Sequence, residues 1–284
     1  MKLALGTAQF GLDYGIANNT GKVSFAEVED ILCFAKYVGI DVLDTATSYG
    51  NREAVLGSAG INDYKVITKL STINNNRSKV MDVFFKSLEN LKKDNVYGLL
   101  IHDIDSISSK NFDVLFKEII NLKDQGLVGK VGFSSYTPEH VDFLLKNFDF
   151  DLIQVPFNIL DHRLVIEGQL DRLKANKVEI YARSVFLQGL LLMSKKIASK
   201  KFKRWNNLWE SWHEWLNDNQ ITALEATIRH AISTVGISKV IVGVNSKDQL
   251  EEIVSASKGS VPDIPKELIT HDVDLLNPSN WSKL

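Results

Sequence analysis

Short apolar runs rich in Val, Ile and Leu alternate along this chain with longer stretches whose apolar residues recur at helical spacing, and the pair repeats eight times. Apolar runs of this length read as buried strands, and the 3.6-residue recurrence reads as amphipathic helix. The pattern predicts strands at Lys2–Leu5, Ile40–Asp44, Lys65–Lys69, Val96–His102, Val128–Ser134, Leu152–Pro156, Val178–Ala182 and Lys239–Gly243, each followed by a helix. Ser24 with Glu27, and Ser246 with Gln249, have the spacing of reciprocal helix caps. Thr137-Pro138 reads as an N-cap followed by a proline in the first helical position, and Gly126 as a left-handed helix stop.

Eight strand-then-helix units in 284 residues fit an α/β (β/α)8 TIM barrel, a fold of about 250 residues. An open doubly wound sheet fits less well, because no G-x-G-x-x-G follows the first strand. Strands covered on both faces should be continuously apolar, as YGLLIH and KVIVGV are. No linker or composition shift divides residues 1–284, so the chain reads as a single domain. Two additions to a minimal barrel stand out. An extended loop after strand seven, Arg183 to Asn217, carries Trp205, Trp209, Trp212 and Trp215, and a C-terminal tail past Gly259 carries Pro262, Pro265 and Pro278. Both are candidates to cover one mouth of the barrel. The tryptophans have helical spacing, which suits packing on the barrel, and direct ligand contact is the other reading.

Composition narrows the function classes. With 33 Lys+Arg against 35 Asp+Glu, nothing attracts nucleic acid or an anionic membrane. No apolar stretch approaches the ~18 residues of a membrane span, and MKLALGTAQFG is too short an apolar run for a signal peptide. The single cysteine, Cys33, lies in an apolar-periodic stretch and reads as a small buried hydrophobe in a reducing compartment. The expectation is a cytoplasmic protein acting on a small molecule, with its oligomeric state open.

In a barrel of this kind, polar residues at the C-terminal strand ends face the active-site mouth. Asp44 ends the second strand and leads through TATSYG to Tyr49; Lys69 ends the third and His102 the fourth. Neighbouring strands lie about 4.8 Å apart, so these side chains can share one pocket. An isolated tyrosine, with a pKa of about 10, holds its proton too tightly to serve as a neutral-pH acid. An adjacent lysine cation favours the phenolate, and a buried lysine needs a carboxylate partner, which Asp44 supplies. His102 can orient a substrate oxygen. The set delivers a proton to a carbonyl, and since no side chain gives hydride, it requires a nicotinamide cofactor. His102 with Asp103 and Asp105 lacks a second His or Cys at ligand spacing and is not read as a metal site. His140, His162, His213, His230 and His271 read as packing or surface residues. The run Lys195, Lys196, Lys200, Lys201, Lys203 and Arg204 reads as a solvated face, or else as a recognition surface for an acidic substrate.

These residues carry a resemblance to the aldo-keto reductase family, from GTAQFG to GVNSKDQLEE. The resemblance implies a (β/α)8 barrel that reduces carbonyls with NAD(P)H. DTATSYGN, ITKL and LLIHD match the family's catalytic tetrad in Asp44, Tyr49, Lys69 and His102. It implies that Ser134 and Ser135 hold the nicotinamide carboxamide, the second position more often being Asn, and that Gln154 in DLIQVPFN joins them, with Asn158 following. Gly6 and Thr7 match the first-strand turn near the cofactor, and Gly243 the eighth. Arg183 stands where an aromatic residue often stacks on the nicotinamide, and Val185 where proline is common. A planar guanidinium can stack there, or face an acidic substrate group. Gln249 stands where many members place an Arg against the 2′-phosphate, and Ile253 where an Asn often contacts adenine. Asn245, Lys247 and the helix opening at Ser246 remain able to bind phosphate, which favours NADPH over NADH. Two other classes compete with a reductase: a cofactor-binding sensor or ancillary subunit with little turnover, and a barrel aldolase using Lys69 as a Schiff-base nucleophile.

Overall fold

The computed structural model of the protein describes residues 1–11, 16, 21–48, 51–70, 77–102, 104, 112–194 and 201–283. Eight parallel strands close into a barrel in sequence order: β1 (Leu3–Gly6), β2 (Val42–Asp44), β3 (Lys65–Leu70), β4 (Val96–Ile101), β5 (Val128–Ser134), β6 (Leu152–Pro156), β7 (Glu179–Arg183) and β8 (Ile237–Gly243). β8 pairs back on β1, with Leu5 opposite Val242. The observed strands stay within two residues of the expected ones, and β8 begins earlier, at Ile237. Among the described residues the α-helices are α1 (Phe25–Tyr37), α2 (Arg52–Ala59), α3 (Arg77–Leu91), α4 (Phe112–Asp124), α5 (Pro138–Asn147), α6 (Arg163–Ile166), α7 (Gln169–Ala175), α8 (Asn206–Asp218), α9 (Ala223–Ser233), α10 (Lys247–Ala256) and α11 (Val273–Leu276).

A two-residue step along each strand places the interior side chains in layers. The central layer is apolar: Ala4, Val42, Ile67, Leu100, Leu152, Tyr181 and Ile241. One step towards the N-terminal end lie charges that close the floor. Lys130 Nζ meets Glu179 Oε1 at 2.5 Å, and Asp41 accepts from Lys239 at 2.6 Å and Lys65 at 3.0 Å. Burial pushes the Asp41 carboxyl up, and the two ammonium groups outweigh it, holding the pKa at about 2. One step towards the C-terminal end lies the polar mouth described below. The alternate strand residues face outwards into a shell shared with the helices, in which Leu43, Val66, Val131, Ile153 and Val240 meet Ile31, Phe84, Leu144 and Ile228.

Caps set the helix boundaries. Thr137 Oγ1 accepts from His140 N with Pro138 in the first turn, and Gly126 has φ +76°. At α1, Ser24 caps Glu27 N at 3.3 Å, but the Glu27 carboxylate turns away from Ser24 and accepts from Lys247 N on α10 at 2.6 Å. Full reciprocal capping occurs instead at α9, between Thr222 and Glu225. Cys33 is exposed rather than buried. The inward stripe of α1 is Val28, Ile31, Leu32 and Ala35, and position 33 falls on the far side of that stripe at 3.6 residues per turn.

The extended loop and the tail build a second apolar cluster. All five tryptophans of the chain lie in it, with Phe202, Leu268, Leu275 and Leu276. Each indole N–H is spent on a local acceptor: Asp272, then the carbonyls of Phe202, Leu191, Asp263 and Leu275 in chain order. This is the packing reading of the segment. Of the basic run, Lys195, Lys196 and Lys200 lie outside the described residues. Lys201 and Lys203 are exposed, and Arg204 bridges Asp272 and Asp274. No helix among the described residues is long and apolar enough to cross a membrane.

Candidate active site

The two-residue step that seats Val42, Ile67, Leu100, Leu152, Tyr181 and Ile241 in the centre brings Asp44, Lys69, His102, Gln154, Arg183 and Gly243 inward at the mouth. They line a cleft of about 440 Å³, together with Gly6, Thr7 and Ser134. Its outer part is walled by Asn245, Gln249, Glu252 and Ile253 of the β8–α10 region and by Asn277–Ser279 of the tail.

An ion pair anchors the inner end. Lys69 Nζ lies 2.6 Å from Asp44 Oδ1 and donates to Thr45 O at 2.8 Å, while Gln154 Nε2 donates to the same Asp44 oxygen at 2.5 Å. Lys69 is enclosed, its side chain 3% exposed. Burial pulls the Lys69 pKa below the ordinary lysine value; Asp44 opposes this, and the Arg183 and Arg52 cations add to it. His102 is anchored by its backbone N–H on Leu70 O. Burial, with help from the Lys69 and Arg183 charges, pushes its imidazole down to about 4, so it is neutral near pH 7. The chain beyond Asp44 stays bound to β3, for Thr47 N and Oγ1 both donate to Lys69 O, at 3.0 and 2.9 Å. Tyr49 itself lies outside the described residues.

Two buried polar atoms beside this pair have no hydrogen-bond partner among the described residues: Ser134 Oγ and Gln154 Oε1. The two residues stand directly opposite each other on β5 and β6. Arg183 reaches across them, donating from Nη2 to Ser135 O at 2.8 Å, with its guanidinium carbon 4.3 Å from the centre of the Tyr136 ring. Among the described residues no carboxylate pairs with it. Ser135 does not line the cleft; its hydroxyl donates to Thr137 O at 3.1 Å. Asn158 is fully buried in the loop after β6, and its Oδ1 accepts from Leu160 N.

At the outer end, Asn245 and Gln249 line the cleft but bond each other, Asn245 N donating to Gln249 Oε1 at 2.8 Å. Lys247 does not line it; its ammonium pairs with Glu251 at 3.1 Å. Sequence reasoning missed Gln9, Tyr136, Glu252 and the tail residues Asn277–Ser279, all of which line the cleft. Gln9, Tyr136 and Glu252 lie within or beside the motif stretches, but motif spacing does not say which side chains turn inward. A Cβ on Gly243 would stand 2.6 Å from the Gln9 amide nitrogen, so the small residue there makes room for Gln9.

Known structures share this architecture. An aldo-keto reductase of Bacillus halodurans in its holo form superposes with a TM-score of 0.77 at 19% identity, covering 95% of this chain and 94% of that one. A glycerol dehydrogenase of Gluconobacter oxydans gives 0.73 at 18%, covering 98% and 92%. A protein of Pseudomonas aeruginosa described as an aldo-keto reductase gives 0.68 at 20%, covering 90% and 89%. At such identities the likeness speaks for the fold alone. No curated protein matches the sequence. The model of the Aldo/keto reductase family matches residues 2–264, nearly the whole barrel, and the chain belongs to that family.

Proposed function

We propose that the protein reduces the carbonyl of a small aldehyde or ketone to an alcohol, using a nicotinamide dinucleotide held in the cleft. The observation that carries this reading is the enclosed Asp44–Lys69 pair beside His102 at the C-terminal mouth of the barrel. Ser134 Oγ and Gln154 Oε1 fit the cofactor, because adjacent buried atoms with unspent hydrogen-bonding capacity complement the N–H₂ and C=O of a carboxamide. When bound, the nicotinamide supplies the hydride.

The chain's own residues supply the proton and the polarisation. In this reading Tyr49 donates the proton to the substrate oxygen, and the Lys69 ammonium favours the phenolate that remains. Asp44 holds Lys69 in place and offsets its burial. His102, neutral at working pH, donates an N–H to the carbonyl oxygen and orients it without adding charge. Lys69 and Arg183 together favour negative charge developing on that oxygen. Gly6, Thr7, Asn245 and Gln249 line the same cleft and in this reading contact the rest of the dinucleotide. The substrate is a small molecule, and the reading sets the reaction in a reducing, cytoplasmic compartment.

Replacing Tyr49 by Phe removes the phenolic proton donor and keeps the ring. The variant is expected to lose about 10²-fold or more in cofactor oxidation with an aldehyde panel, with dissociation constants for the dinucleotide unchanged. Turnover at the wild-type rate would remove Tyr49 from this role, and wild-type protein that binds cofactor but reduces no carbonyl would favour the sensor reading.

A further inference from the structure

The charges along the cleft are unevenly distributed. The cationic and imidazole side chains that line it, Lys69, His102 and Arg183, all sit at the inner, reacting end. A dinucleotide with its ring at that end must lay its adenosine ribose in the outer part, beside α10. Among the described residues, the charged side chain lining that part is Glu252. A helix N-terminus would ordinarily attract a phosphate through its free amides and dipole. Here two of the amides at the start of α10 are taken by side chains, Glu27 Oε1 accepting from Lys247 N at 2.6 Å and Ser246 Oγ from Gln249 N at 3.2 Å, and just before it Gln249 Oε1 accepts from Asn245 N at 2.8 Å. The Lys247 ammonium faces Glu251 and lies 5.9 Å from the centre of the Phe34 ring on α1.

We infer that the outer end of the cleft selects a dinucleotide with a free ribose 2′-hydroxyl, NADH, and rejects the 2′-phosphate of NADPH. A phosphate monoester carries a charge of about −1.5 to −2 at neutral pH. Placed at this end it meets Glu252, and the first amide of α10 is already bonded to the Glu27 carboxylate. A 2′-hydroxyl is a neutral donor that a carboxylate accepts, the same logic by which an acidic residue reads the ribose in open dinucleotide-binding sheets. The expectation of NADPH from the sequence rested on Lys247, on the start of α10 and on Asn245, which does line the cleft. The structure turns the first away from the cleft and caps the second with an acid contributed by α1. The inference rests on the nicotinamide reading above.

The test is calorimetric titration of the full chain with NADH and with NADPH, at one fixed salt concentration. NADH is expected to bind about tenfold or more tightly than NADPH. Glu27→Gln and, separately, Glu252→Gln should each tighten NADPH by about threefold or more, with NADH moved by less than about twofold. A merely structural role for either acid would weaken both ligands together. Lys247→Ala should leave the preference as it is. NADPH binding as tight as NADH, or NADPH selectively lost in Lys247→Ala, overturns the inference while sparing the proposed reaction. Binding of neither dinucleotide overturns the nicotinamide reading and the inference with it.

Discussion

Asp44→Asn isolates the part played by the buried pair. The amide keeps the shape of the side chain and an oxygen acceptor for Gln154, but removes the charge that faces Lys69 at 2.6 Å. Lys69 then keeps neutral acceptors, Thr45 O and the amide oxygen, but loses the Asp44 charge, with Arg183 and Arg52 still acting against its own. Removing one member of a buried pair costs about 3–5 kcal/mol, and the retained acceptors place this case near 3. At roughly 2–4 °C per kcal/mol for a chain near this size, the midpoint should fall by roughly 6–12 °C. The pH dependence has a definite sign. Lys69 has a lowered pKa in the folded state, so the unfolded chain binds the proton more tightly and stability rises with pH up to the ordinary lysine value. Loss of Asp44 lowers the folded pKa further, and the deficit of the variant should therefore shrink as pH rises from 7 towards 10.5. Thermal unfolding and urea titration followed by circular dichroism measure both effects. In Asp44→Asn/Lys69→Met the unpaired ammonium is gone, and the double variant should be more stable than Asp44→Asn by roughly 1–2 kcal/mol. An unchanged midpoint in Asp44→Asn, a deficit that grows with pH, or a double variant that merely sums its singles would refute this account of the pair.

Other expectations follow from the same geometry. His230 stacks between Phe157 and His162, at centroid distances of 5.2 and 4.9 Å, and burial pushes its pKa down to about 3. The unfolded chain therefore takes up protons that the folded chain refuses below about pH 6.5, so stability falls with falling pH by up to about 1.4 kcal/mol per unit from this group; His230→Phe should flatten that slope in urea titrations between pH 7 and 5, and an unaltered slope would exclude the group. Among the described residues Arg183 has no carboxylate partner at the inner end, so the oxidised, cationic nicotinamide should bind less tightly relative to the reduced one than it does in Arg183→Gln; an equal ratio of dissociation constants in the two proteins would remove the guanidinium from the ring. Lys69 is committed to Asp44 and Thr45, so borohydride with a carbonyl substrate should trap no adduct on it, and a modified Lys69 peptide in the mass spectrum would favour the aldolase reading. A Cβ on Gly57 would stand 2.1 Å from Asn90 O on the neighbouring helix, so Gly57→Ala should lower stability by roughly 1–3 kcal/mol in the same denaturation assay.

The strands and their order were legible because barrel strands are covered on both faces and read as unbroken apolar runs. Polar residues at the ends of such runs are conspicuous for the same reason, and Asp44, Lys69 and His102 could be picked out as mouth residues from sequence, whereas Ser134, Gln154 and Arg183 were marked only by the family resemblance. That they share one cleft follows from the two-residue step once the sheet closes, because every strand then turns the same parity inward. Helix faces were less legible where a residue sits beside an apolar stripe without belonging to it, as the exposed Cys33 does.

Tertiary structure alone decided matters that depend on residues far apart in the chain. Glu27 and Lys247 are 220 positions apart, yet one caps the helix the other begins; the local spacing of Ser24 and Glu27 pointed to a self-contained cap instead. The tryptophans show helical spacing whether they face a ligand or a core, and only the tail folding over them settles which. Ser135 and Ser134 are neighbours in sequence, and the alternation of a strand end sends one hydroxyl to Thr137 and leaves the other in the cleft. Sequence thus determined the elements and the chemical types at the barrel mouth, because these are set by local periodicity and strand ends. Which donors are already spent, and which charges meet, was decided by packing between distant segments.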